Sequence, residues 1–208
     1  RRPLVQAVQV TVHKPQAPVG VPFSDVRVLV ERHRDEAVVI ALGANLGGVQ
    51  ATLEAAVRAL ADVDGLRIIA VSDLFETDPV GGPLQPVYLN AVVLARTRLA
   101  AFALLTKLHE IEAERGRVRE TRWGARTLDL DLIQYGDPGT GSELVSQDPE
   151  LMLPHPRAHE RAFVLAPWQA LDAEAQLRVG EAMVPVSELL ERADQDGIRP
   201  GPSWSPSW

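Results

Sequence analysis

Thr127-Leu128-Asp129-Leu130-Asp131-Leu132 places two carboxylates two residues apart in a leucine-rich hexapeptide. Side chains alternate along a β-strand, so Asp129 and Asp131 share one face and the leucines take the other. Two carboxylates about 7 Å apart on one face can hold magnesium between them, with phosphate oxygens and water completing the ion's shell. The same pattern also suits a solvated strand face, and spacing alone does not choose between the two.

The residues just upstream weigh on that choice. Arg115, Arg117, Arg119, Arg122 and Arg126 crowd residues 115–126 of a chain whose net charge is −7. Five guanidiniums so close together are poor core material and repel one another unless anions separate them. Arginine stays charged and presents a fork of donors matched to phosphate oxygens. Gly116 and Gly124 permit a loop that folds over a ligand, although a merely flexible charged loop would look alike. Arginines leading into a carboxylate pair would bracket one polyphosphate between guanidiniums and metal, the charge arrangement that phosphoryl transfer needs.

Pro154-His155-Pro156-Arg157-Ala158-His159-Glu160-Arg161-Ala162-Phe163 is a third cluster. A single histidine, or Phe163 by itself, reads as structural. Two histidines, two arginines and an aromatic in ten residues read as a segment facing a ligand. Asn90, at the start of a strand, offers an amide donor and acceptor to a heterocycle. Gly43-Ala44-Asn45-Leu46-Gly47-Gly48 lacks the lysine of a Walker loop and the spacing of a kinase glycine loop, and reads as a turn into a helix.

The elements that must position these residues follow from hydrophobic periodicity. Residues 38–42 form a short apolar strand, and Val49, Leu53, Val57 and Leu60 recur at helical spacing. Residues 66–74 and 88–95 read as strands separated by a Pro/Gly-rich loop from Thr77 onward. A helix carrying Leu104, Leu105, Leu108 and Ile111 follows, and then a strand over 128–135. A helix is expected over 157–170, kinked or ended by Pro167, and another over 186–193. The order β-α-β-β-α-β predicts an α+β, ferredoxin-like antiparallel sheet with helices packed on it. Ahead of it, 8–12 and 26–30 read as an N-terminal β-hairpin. The expected divisions are 1–34 for the hairpin, 35–196 for the main domain and 197–208, rich in Pro, Ser and Trp, for a flexible tail.

Composition bounds the rest. Hydrophobic residues make up 46% and charged residues 24%, the balance of an ordinary globular protein. Cysteine is absent, which removes disulfide and thiolate chemistry and fits a cytoplasmic setting. No membrane span or nucleic-acid partner is expected from the apolar runs and the net charge. The chain starts Arg1-Arg2-Pro3 without methionine and is expected to be a piece of a longer product.

From Ala37 to Asp172 these motifs, in this order, resemble hydroxymethyl-dihydropterin pyrophosphokinase. The resemblance rests on Gly43 to Gly47, Gln85-Pro86 with Tyr88-Leu89-Asn90, Gly116 to Arg119, Arg122-Trp123-Gly124-Ala125-Arg126 running into Asp131, and Pro154-His155 through Phe163. It implies transfer of pyrophosphate from ATP to 6-hydroxymethyl-7,8-dihydropterin, with release of AMP, in folate biosynthesis. It also implies two magnesium ions on Asp129 and Asp131, and loops bearing Arg117 and Arg126 that close over ATP. Glu112, Arg119, His155 and Arg161 would lie at the nucleotide. Thr77, Asn90, Trp123 and Phe163 would hold the pterin, with Phe163 stacking on its ring. Pro156, Asp78 and Trp168 depart from the family's usual residues, and none touches the carboxylate pair. A catalytically silent nucleotide-binding or docking module is the competing reading, and the intact acidic pair and arginines argue against it.

Val10 to Pro18 and Phe23 to Val28 resemble the last hairpin of dihydroneopterin aldolase, with Lys14 at that family's active-site lysine. The resemblance implies that the chain carries the tail of a fused aldolase ahead of the kinase. Unpaired strand edges in such a hairpin would be a route to association between chains.

Overall fold

The computed structural model describes residues 35–79, 85–115 and 127–208. The hairpin expected within 1–34 lies outside the described residues, as do Arg117, Arg119, Trp123 and Arg126. β1 (Glu36–Ala44) leads through α1 (Val49–Ala61) to β2 (Leu66–Val71) and β3 (Phe75–Thr77). Then come β4 (Tyr88–Thr97), α2 (Ala101–Glu114) and β5 (Asp129–Tyr135). β4 and β5 flank β1, and β2 and β3 both pair with β4, all antiparallel. This is the expected ferredoxin-like α+β arrangement, except that the strand expected over 66–74 ends at Val71 and a short strand not expected from sequence, β3, follows and takes in Thr77.

Strand alternation sorts the side chains into two cores. Val38, Ile40 and Leu42 of β1, Ala91, Val93 and Ala95 of β4, and Leu130 and Leu132 of β5 face one way. There they meet Leu53, Val57 and Leu60 of α1 and Leu104, Leu108 and Ile111 of α2. Val39, Ala41, Val92 and Ile133 face the other way, against Val164, Leu165 and Trp168. Each fully buried side chain of this size contributes about 1.5–3 kcal/mol, so the central strands are anchored from both sides.

The early end of β2 has a local cause. Ser72 N–H donates to Val92 O, while the Ser72 hydroxyl accepts from Val92 N–H in place of a backbone carbonyl. The ladder stops there, and Leu74 turns into the first core at 1% exposure. The carbonyls of Ser72 and Leu74 then need other donors.

After β5 the chain adds β6 (Ser146–Asp148), β7 (Leu151–Leu153), α3 (Ala162–Leu171), β8 (Gln176–Val179), β9 (Ala182–Pro185), α4 (Val186–Arg192) and β10 (Ile198–Pro200). The helix expected over 157–170 starts later, after a 3-10 turn at Ala158–Glu160, and it runs through Pro167 instead of ending there. Pro167 sits on the buried face beside Trp168, where packing offsets the hydrogen bond that proline cannot donate.

The segment expected as a flexible tail is held in place instead. β10 pairs with β3, Gly201 N–H donates to Leu74 O at 2.7 Å, and Trp204 Nε1 donates to Ser72 O at 2.9 Å. These donors satisfy the two carbonyls left by the strand break. Among the described residues, no helix is long and apolar enough to cross a membrane.

Candidate active site

The second face of the sheet carries a cleft of about 330 Å³, within the usual range for small-ligand sites. Its floor follows from strand register. Gly43 on β1 lies opposite Asn90 on β4 and Asp129 on β5, and Ala41 lies opposite Val92 and Asp131. Small residues at the centre, with Asn90 on one side and both aspartates on the other, leave a trough across three strands. A Cβ on Gly43 would stand 3.2 Å from Asn90 Oδ1, so glycine there makes room for the amide.

Asp129 and Asp131 both line the cleft, as their alternation with the buried leucines requires. Asp131 Oδ2 accepts from Arg161 Nη1 at 3.0 Å and lies 3.9 Å from His155 Nε2. His155 is fixed by its own backbone N–H, which donates to Ile133 O at 2.8 Å, and its Nδ1 accepts from Arg157 N–H. Burial pushes the His155 imidazole below the ordinary histidine value, and the nearby Asp131 only partly opposes this. The neutral ring is therefore the favoured form near neutral pH, with Nδ1 as the acceptor and the proton left on Nε2 to donate.

Opposite the acidic pair, Asn90 is 5% exposed and donates through Nδ2 to Thr77 Oγ1 at 2.9 Å. Phe163 lines the same cleft, with the Arg161 guanidinium carbon 5.6 Å from its ring centre. An amide, a hydroxyl and an aromatic face around one space suit a flat heterocycle, which stacks on the ring and pairs by its edge. The motif at Gly43 has its predicted turn, with Gly47 at φ +71° and α1 beginning at Val49. Its Asn45 is buried and donates to Gln85 Oε1 at 3.1 Å, which also accepts from Tyr88 O–H at 3.2 Å. That network fixes the start of β4.

Glu112, expected at the nucleotide, is 1% exposed and is not among the described residues that line the cleft. Its Oε1 accepts from Leu130 N–H at 2.7 Å, between the two aspartates on the open edge of β5. It supports the carboxylate strand from behind.

Several lining residues were not singled out from sequence. Asp194, Asp196 and Ile198 reach the cleft from beyond α4, a segment whose composition carries no signal for a site. Glu160 sits within the histidine–arginine cluster without having been singled out. Among the described lining residues, the acids Asp78, Asp129, Asp131, Glu160, Asp194 and Asp196 outnumber the bases Arg157 and Arg161. A polyanion enters such a cleft only with cations to screen it. Among the described residues no cluster of three or more His, Cys, Asp or Glu makes a closed metal cage. Two carboxylates with room beside them match magnesium's habit of sharing its shell with phosphate and water.

The family model described as 7,8-dihydro-6-hydroxymethylpterin-pyrophosphokinase matches residues 39–173. The chain belongs to this family. As a pyrophosphokinase it is similar to a Mycobacterium leprae protein named 2-amino-4-hydroxy-6-hydroxymethyldihydropteridine pyrophosphokinase, 44% identical over 78% of this chain and 87% of that protein. A Pseudomonas aeruginosa protein of the same name is 39% identical over 77% of this chain and 94% of its own length. The crystal structure of wild-type Plasmodium falciparum HPPK-DHPS superposes with a TM-score of 0.54 at 13% identity. That likeness covers 76% of this chain and 45% of the Plasmodium chain, so this chain spans less than half of it, and the likeness concerns the fold. The span matched by the pyrophosphokinase family ends at residue 173, so Asp194, Asp196 and Ile198 lie outside it.

Proposed function

We propose that the cleft transfers the pyrophosphoryl group of ATP to the hydroxymethyl oxygen of 6-hydroxymethyl-7,8-dihydropterin, in folate biosynthesis. The observation that carries this reading is the shared cleft. Asp129 and Asp131 stand at one side, and Asn90, Thr77 and Phe163 stand at the other.

In this reading the pterin stacks on Phe163 and pairs with the Asn90 amide, which Thr77 orients. The alcohol oxygen attacks the β-phosphorus, the new O–P bond forms as the bond to the α-phosphate bridge breaks, and AMP leaves. The alcohol proton departs to water. Asp129 and Asp131 would hold magnesium, two ions in our reading, which when bound neutralises phosphate charge and orients the reacting groups. Arg161, held at 3.0 Å by Asp131, stands ready to exchange that partner for a phosphate oxygen. His155, with its lowered affinity for protons, contributes hydrogen bonding beside the nucleotide. Arg117, Arg119 and Arg126 supply the positive charge the described cleft lacks, and Trp123 closes over the pterin. Positioning and electrostatics do most of the work, so no strong general base is required.

We assign residues 1–34 to the end of a dihydroneopterin aldolase domain on the strength of the motif around Lys14, with association between chains as its further capacity. A cytoplasmic setting fits a chain of 208 residues without cysteine.

Titration calorimetry with magnesium and a non-hydrolysable ATP analogue tests the assignment without turnover. The wild-type chain should bind the analogue more tightly as magnesium is added, and Asp129→Ala and Asp131→Ala should lose that dependence. Unchanged magnesium dependence in both variants would remove the pair from the metal site.

A further inference from the structure

β3 is three residues long and lies beyond β4, so three backbone pairs alone would hold Thr77 in place. The C-terminal segment completes it. Ile198, Arg199 and Pro200 pair with Thr77, Glu76 and Phe75, and Asp78 N–H donates to Gly197 O at 3.2 Å. Arg199 is not among the described residues that line the cleft, and it grips both residues that flank Thr77. Its Nε donates to Glu76 Oε2 at 2.8 Å and its Nη1 to Asp78 Oδ1 at 3.0 Å. Ile198, the register partner of Thr77, lines the cleft itself.

Two glycines fit the segment to the sheet. A Cβ on Gly201 would lie 2.9 Å from Leu74 O, and one on Gly197, whose φ is +76°, would lie 2.9 Å from Asp78 Oδ2. Close approach at both ends of β10, together with donors for the carbonyls of Ser72 and Leu74, marks a built contact between the segment and β3.

We infer that Arg199 is a positioning residue for the pterin subsite: by clamping Glu76 and Asp78 it fixes Thr77, and through Thr77 the Asn90 amide. This rests on the assignment of Thr77 and Asn90 to the pterin. The C-terminal segment is then the outer wall of the substrate site, although it lies beyond the span matched by the family.

The test is steady-state kinetics on the full chain with Arg199→Ala, Arg199→Lys, Trp204→Phe and, as reference, Asn90→Ala. Loss of exposed ion pairs corresponds to modest factors, so Arg199→Ala should raise KM for the pterin alcohol about three- to ten-fold. Its KM for ATP and its kcat should stay within about two-fold, a split that general destabilisation does not produce. Lysine should recover part of the loss. Trp204→Phe, which removes the indole N–H together with part of the ring, should shift pterin KM in the same direction by less, and it reads the same wall should the Arg199 variants fold poorly. Raised pterin KM in Asn90→Ala with unchanged values in Arg199→Ala and Trp204→Phe would overturn the inference. Unchanged pterin KM in Asn90→Ala as well would overturn the subsite assignment beneath it.

Discussion

Arg161 Nη1 and Asp131 Oδ2 are 3.0 Å apart, an ion pair that ties the segment entering α3 to the carboxylate strand β5. The same guanidinium lies 5.6 Å from the ring centre of Phe163, so one side chain links the acidic couple to the aromatic face. The pair is part-buried, and under the proposed function its guanidinium would release the carboxylate when a phosphate arrives.

Asn90→Ala should weaken binding of the pterin alcohol by about 1–3 kcal/mol, because ring donors and acceptors would lose their partner. ATP affinity should be unchanged. Equilibrium titration with each substrate checks this, and unaltered pterin affinity would take Asn90 out of the site.

Arg117→Ala and Arg126→Ala should each lower kcat more than they weaken substrate binding, since closing positive charge matters most as charge shifts in transfer. Single-turnover kinetics separates the two effects. Collapse of ATP affinity with an unchanged chemical step would make these arginines ground-state binders.

His155 gives a pH prediction for the metal-free chain. Its folded-state pKa lies below the ordinary histidine value because of burial, against the pull of Asp131 and Asp129 and with that of Arg161 and Arg157. Below about pH 6.5 the unfolded chain therefore takes up a proton that the folded chain resists. The contribution of this group to stability is full above that pH. It falls as pH drops from there and levels off once the folded-state pKa is passed. Titration of the His155 ring signals by NMR should give a midpoint below 6.5, and a midpoint above it would show Asp131 outweighing burial.

What the sequence made legible was local. Alternation alone put Asp129 and Asp131 on the face opposite Leu130 and Leu132, and the apolar spacing of α1 and α2 located both helices. Non-local contacts were hidden. Ser72 breaks its strand by pairing its hydroxyl with Val92, twenty residues away, and serine carries no mark of that choice. Residues 197–208 have the composition of a tail because nothing in Pro, Ser and Trp shows that the Ser72 carbonyl, 132 residues before Trp204, awaits its indole N–H. Glu112 was legible as special, but its bond to the Leu130 backbone was not, since a buried carboxylate behind a strand and one facing a nucleotide look alike in sequence.

Deleting residues 1–34 should leave pyrophosphoryl transfer within a few-fold, and the intact chain should show no retro-aldol cleavage of dihydroneopterin. A lysine in proton transfer needs a pocket to hold substrate and tune its pKa, and some thirty residues cannot build one. Measurable cleavage would overturn the fragment assignment, and loss of transfer would make these residues part of the kinase.

The most direct test of the central claim is identification of the nucleotide product by chromatography. The purified chain, given ATP, magnesium and 6-hydroxymethyl-7,8-dihydropterin, should form AMP and the pterin pyrophosphate in equal amounts. Asp129→Ala and Asp131→Ala should lose at least about a thousand-fold in rate while remaining folded, the scale expected when a metal clamp is removed from phosphoryl transfer. ADP as the product, or AMP formation undiminished in both aspartate variants at saturating magnesium, would contradict the account.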